Sequence, residues 1–146
     1  MRIKSKNCKN LLYKDLSYDI VGCFFEVYNE LGPGFKESVY RKALTIEFAL
    51  KNITHEEERR IPIKYKNKTA GYYTPDFIID KKIIIEIKAV EIMPKFYETQ
   101  LYNYLKGTNY KLGYIINFGA TKIDIRRRIL DKKRIISSSR NAYSSV

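Results

Sequence analysis

The sequence predicts an α/β (α+β) fold, a mixed β-sheet flanked by helices, and three features carry that expectation. Apolar residues recur at helical spacing over two early stretches, switch to strand-like alternation from His55 onward, and return to helical spacing once before the last strands. The expected element order is ααβββαββ.

The first helix runs from Ser17 to Leu31, with Ile20, Val21, Phe24, Phe25, Val27, Tyr28 and Leu31 on its apolar stripe and Ser17 or Asp15 as cap. Gly32-Pro33-Gly34 stops it, and a second amphipathic stretch follows from Glu37 to Lys51. His55 to Lys66 reads as a strand, because Ile61, Ile63 and Tyr65 alternate with polar residues before the turn at Asn67-Lys68. Gly71–Ile79 and Lys82–Val90 form a hairpin around Asp80-Lys81-Lys82, and the second strand, rich in β-branched residues, is expected at the sheet centre. Pro94 opens a helix from Lys95 to Lys106 that Gly107 closes. Lys111–Phe118 and Lys122–Ile129 supply the last two strands. Residues 1–136 read as a single domain, and the polar stretch 137–146 as a frayed tail.

With 146 residues, 45% of them hydrophobic, the chain can bury one sizeable core, which excludes wholesale disorder. Lysine and arginine number 28 against 16 acidic residues, and the formal charge of +12 attracts polyanions, nucleic acid first among them. Charge alone fits a solvated lysine-rich surface equally well. Cys8 and Cys23 are too few for a disulfide framework or a structural zinc site, and free thiols in a reducing cytoplasm are expected. Lys14, Asp15 and Asp19 interrupt the apolar stretch behind the basic N-terminus, which argues against a secretory segment. No run approaches the ~20 apolar residues of a membrane span.

Alternate residues of a strand share a face, so Glu86 and Lys88 project together, opposite Ile85 and Ile87. A three-residue hairpin loop sets Ile79 against Ile83 and hence Asp76 against Glu86, with Cβ atoms about 5 Å apart. Facing carboxylates require a compensating cation or a shared proton. Hard oxygen ligands suit Mg²⁺ or Mn²⁺, and with one histidine, His55, zinc is disfavoured. Such a site would activate water for phosphodiester hydrolysis, with Lys88 orienting the water or stabilising charge. Spacing alone favours a plainer reading, a cross-strand ion cluster on a solvated sheet face.

Thr74-Pro75-Asp76 followed by Glu86-Ile87-Lys88 resembles the signature of the PD-(D/E)XK nuclease superfamily, whose core order matches the one predicted here. Gln100-Leu101-Tyr102-Asn103-Tyr104 is similar to the QxxxY motif of its RecB-type members. Gly34-Phe35-Lys36-Glu37-Ser38-Val39-Tyr40 resembles the motif of the small GxxExxY family within it, and the similarity extends from about Leu16 to Phe118. The resemblance implies a restriction-endonuclease-like core and a Mg²⁺- or Mn²⁺-dependent nuclease acting on DNA in preference to RNA. It implies metal ligation by Asp76 and Glu86 with the Ile87 carbonyl, Lys88 as catalytic lysine, Glu37 completing the metal shell, Gln100 bonding a catalytic or phosphate group, and Tyr104 packing behind it. A silent nucleic-acid-binding or interaction module with the same fold is the alternative.

Tyr40 reads as an ordinary half-buried aromatic, Gly34 as a residue required by turn geometry, and Glu37 can equally serve as a first-turn residue favoured by the helix dipole. Between Lys122 and Arg134 seven basic residues, Arg126, Arg127, Arg128, Lys132 and Lys133 among them, face two acidic ones and offer a phosphate grip or a solvated terminal strand. Glu56, Glu57 and Glu58 read as protective charge on an edge strand. So short a chain has little room for a recognition domain, so a homodimer or a partner protein is expected to supply selectivity.

Overall fold

The computed structural model describes residues 12–130; the boundary expected at 136, Cys8, Lys132, Lys133 and Arg134 lie outside the described residues. Ten elements follow one another: α1 (Lys14–Leu31), α2 (Glu37–Leu50), β1 (His55–Glu57), β2 (Ile61–Tyr65), β3 (Lys68–Tyr73), β4 (Phe77–Ile79), β5 (Ile83–Lys88), α3 (Phe96–Thr108), β6 (Leu112–Asn117) and β7 (Asp124–Ile129). The main sheet has the order β1-β4-β5-β6-β7, so β5 is central as expected, while β2 and β3 pair as a separate ribbon. Only the β5–β6 ladder is parallel, and α3 is the crossover that parallel pairing demands.

The isoleucines of β5 account for the layering. Ile83, Ile85 and Ile87 join the core formed with Ile20, Phe24, Tyr40, Leu44 and Phe48 of α1 and α2. Ile84 faces the other way, into a second core with Leu101 and Leu105 of α3 and Ile61 and Tyr73 of the ribbon. A sheet covered on both faces reads as a continuous apolar run, which is why β5 begins Ile-Ile-Ile. Glu86 and Lys88 continue the α3-facing set at the strand's C-terminal end.

The structure corrects several expected boundaries. α1 begins one turn early, at Lys14, because Tyr13 and Leu16 pack on the core; Ser17 is buried inside the helix and caps nothing. The expected strand over His55–Lys66 is two strands in different sheets, separated where Glu58 takes a left-handed φ of 46°. The expected strand over Gly71–Ile79 is likewise β3 and β4, divided at Pro75, which has no N–H to give a ladder. Gly107 does not end α3; it lies within the helix against Ile63, and the helix ends at left-handed Asn109. The acidic run behaves as expected, since Glu56 and Glu57 lie on the edge strand β1.

Candidate active site

The hairpin register is the expected one for Ile79 against Ile83 and Phe77 against Ile85 across a three-residue loop, but the expected ladder pair of Asp76 with Glu86 does not form. Pairing stops there. Beyond Phe77 the chain leaves β5, and the Asp76 side chain takes the place of the missing ladder: its Oδ2 accepts the Ile87 N–H at 2.7 Å. Asp76 Oδ1 accepts two bonds from Arg41, from Nε at 3.0 Å and from a terminal nitrogen at 2.6 Å. Asp76 is therefore buried with both oxygens bonded, held by a backbone donor on one side and a cation on the other.

Glu86 lies beside it, in a cleft of ≈ 250 Å³ lined by Tyr72, Tyr73, Lys88, Tyr97, Gln100 and Tyr104 among others. The Tyr73 hydroxyl donates to a Glu86 carboxylate oxygen, and the Tyr73 ring stacks on Tyr104 with centroids 3.9 Å apart and planes 5° from parallel. Burial pushes the Glu86 carboxyl up to about 7; the Tyr73 bond opposes that, the charge of Asp76 adds to it, and Lys88 opposes it. Burial and the Glu86 charge raise the Tyr73 phenol above the usual range, so Tyr73 serves as a donor and not as a base. Lys88 Nζ lies 4.3 Å from the Tyr97 ring centroid, a cation–π contact at the cleft wall.

The motif residues before β1 divide between the two roles considered for them. Tyr40 is fully buried, donates to the Gly32 carbonyl at 2.6 Å, accepts the Phe35 N–H at 3.2 Å and stacks on Phe118. It ties down the turn in which Gly34 takes φ +111°, a conformation that favours glycine. Glu37 is exposed in the first turn of α2, one turn before Arg41, whose guanidinium feels its charge. The arginines of β7 are partnered: Arg126 and Arg128 both bind Glu98, Arg126 also binds Asp124, and Arg127 reaches the Leu12 carbonyl on the opposite face.

The structure brings Glu86, Lys88, Gln100 and Tyr104 to one cleft with Asp76 beside it; spacing had joined Asp76, Glu86 and Lys88, the resemblance had added Gln100 and Tyr104, and neither pointed to Arg41 or Tyr73. Periodicity could not have found Tyr73. A continuous strand would have put it on the face of Phe77 and Ile79, which join the α1/α2 core, but the break at Pro75 turns it to the α3 side with Glu86. A signal for Arg41 existed, since it stands four residues after Glu37 on one helix face.

Among the described residues no three or more His, Cys, Asp or Glu side chains converge. A cation would therefore have two carboxylates, a backbone carbonyl and otherwise water or phosphate oxygens, a donor set that suits Mg²⁺ or Mn²⁺. The raised Glu86 carboxyl beside Asp76 fits such a cation, which would relieve their repulsion.

No curated protein matches the sequence. Among solved structures, the alkaline exonuclease LHK-Exo from Laribacter hongkongensis superposes with a TM-score of 0.51 at 12% identity, over 89% of this chain and 76% of that one. A protein designated SSO0001 matches with a TM-score of 0.48 at 20% identity, over 88% of this chain; the match spans 64% of that protein's length. The likeness to LHK-Exo shows the fold, a mixed sheet with helices on both faces. The sequence profile of the PD-(D/E)XK nuclease superfamily matches residues 14–129, from the start of α1 to the end of β7, and so takes in the Pro75-Asp76 break, Glu86-Ile87-Lys88 and the helix behind them. With that match over most of its length, the chain belongs to the PD-(D/E)XK nuclease superfamily.

Proposed function

We propose that the protein hydrolyses phosphodiester bonds of DNA, using a divalent cation, Mg²⁺ or Mn²⁺, held by Asp76, Glu86 and the Ile87 carbonyl, and that it is a GxxExxY-type member of its superfamily. The observation that carries the reading is the break between β3 and β4 at Pro75, which leaves a buried Asp76 carboxylate bonded to Ile87 and beside a Glu86 carboxyl pushed up to about 7. The cation would lower the pKa of attacking water and polarise the phosphoryl group.

The chain's own residues supply the rest. The Tyr73 hydroxyl, braced by Tyr104, fixes one Glu86 oxygen and leaves the other for ligation. Lys88, on the cleft wall, orients the nucleophile and offsets charge developing on the phosphate. Gln100 shares that cleft and donates to a phosphate oxygen or the nucleophile. Glu37 acts from the rim through Arg41 and reaches the cation through water. Lys132 and Lys133, outside the described residues, are assigned to contacts with the DNA backbone, and a second copy or a partner protein supplies selectivity.

One observation favours a second reading, a silent nucleic-acid-binding module: both Asp76 oxygens are already bonded, one of them to a cation. The deciding experiment incubates purified protein with labelled single- and double-stranded DNA and RNA in Mg²⁺ or Mn²⁺, beside Asp76→Asn. Cleavage by the wild type and not the variant, on DNA before RNA in competition, is expected. Wild type and variant binding equally and cutting nothing would establish the silent module.

A further inference from the structure

The Arg41 guanidinium binds Asp76 strongly, yet the proposed chemistry gives it no part of its own toward the substrate. It stands on α2, outside the lining of the cleft that holds Glu86 and Lys88, and approaches Asp76 Oδ1 through two nitrogens at 2.6 and 3.0 Å. Its third nitrogen is 3.6 Å from Glu58, whose side chain is 62% exposed. A carboxylate accepts about four hydrogen bonds, and with Arg41 and the Ile87 N–H three of those on Asp76 are taken. A divalent cation that takes Asp76 through both oxygens has to compete with the Arg41 fork for Oδ1.

Charge decides where the guanidinium goes. With both carboxylates ionised, Asp76 and Glu86 are balanced by Arg41 and Lys88, and the group is formally neutral. A divalent cation turns that into a surplus of two positive charges around a single cleft, which an anionic ligand must offset. Arg41 remains on the spot, freed from Asp76, partly solvent-exposed and tethered by Glu58 at the rim. Its planar fork matches a phosphodiester as well as a carboxylate.

We propose that Arg41 is an exchangeable ligand: it holds Asp76 while no cation is bound, and on cation binding it transfers to the phosphodiester of the nucleic-acid substrate. Arg41 is then a substrate-binding residue, and cation and nucleic acid bind cooperatively, because each takes one of two partners that otherwise hold each other. The proposal rests on the two-carboxylate cation site described above.

The test compares wild type, Arg41→Gln and Arg41→Lys by calorimetry with Mn²⁺ alone, and by anisotropy of a labelled oligonucleotide in Ca²⁺ over a salt series. Arg41→Gln should bind Mn²⁺ about tenfold more tightly, since no charge-assisted fork has to be broken first. It should bind the oligonucleotide more weakly, with a salt slope smaller by roughly 0.7 to 0.9, the loss of one phosphate contact. Arg41→Lys, which keeps the charge and loses the fork, should fall between, and decides the matter should Arg41→Gln not fold. Mn²⁺ affinity unchanged or weakened in a folded variant, or an unchanged salt slope, would overturn the exchange and make Arg41 a structural counter-ion. If no protein, wild type included, binds Mn²⁺, the cation site itself is wrong and the exchange falls with it.

Discussion

Replacing Tyr73 by Phe removes one hydroxyl and keeps the ring that stacks on Tyr104, so it isolates the bond to Glu86. A hydrogen bond to an ionised group contributes about 1.5–3 kcal/mol, and 1.36 kcal/mol corresponds to one pKa unit. Without that donor the ionised form of Glu86 loses its main support, and its midpoint should move from about 7 to roughly 8 or 9. Cation binding requires the ionised form. At pH 7.5 the ionised fraction then falls roughly 3- to 25-fold, and the Mn²⁺ dissociation constant rises by the same factor. Calorimetric titration with Mn²⁺ between pH 6 and 9 is the assay: wild-type affinity should gain about tenfold per unit below pH 7 and level off above it, while the Tyr73→Phe profile is displaced toward higher pH. Superimposable profiles would refute the reasoning, since Tyr73 would then leave the ionisation of Glu86 unaffected.

Three further predictions concern stability. Glu86 holds its proton more tightly folded than unfolded, so its contribution is complete below about pH 4.5 and is lost as pH rises through about 7, ~3 kcal/mol in all without divalent cation; urea melts of wild type against Glu86→Gln should diverge across that window, and parallel curves would disprove the shift. Glu98→Gln leaves Arg126 and Arg128 without their shared anion and should cost about 2–4 kcal/mol by chemical denaturation; a loss under about 0.5 kcal/mol would mean that solvent already screens the cluster. Gly119→Ala sets a methyl against the backbone of Ala89 and Val90, in the segment just past Lys88, and should cost about 2 kcal/mol or more; an unchanged melting temperature would contradict that close approach.

The layering and the central strand were legible because they follow from periodicity. Ile83, Ile84 and Ile85 are apolar on both faces, and only a strand covered on both sides requires that. The register was legible because a short loop allows few alternatives, and Ile79 against Ile83 followed from it. The finer site was hidden because it depends on where regular structure fails. Pro75 ends one ladder, reverses the face of Tyr73 and frees the Ile87 N–H for Asp76, and none of these consequences has a period. Arg126 and Arg128 show the converse: the sequence exhibits three consecutive basic residues, whereas Glu98, on a helix 28 residues earlier, determines that two of them are ion-paired.

The measurement that bears most directly on the account is a crystal structure of the protein soaked in Mn²⁺, with anomalous density as the readout. One peak is expected within bonding distance of the Asp76 and Glu86 carboxylates, with Arg41 displaced from Asp76. Mn²⁺ density away from that pair, or a saturating soak that leaves Arg41 on Asp76 with no peak between the carboxylates, would contradict it.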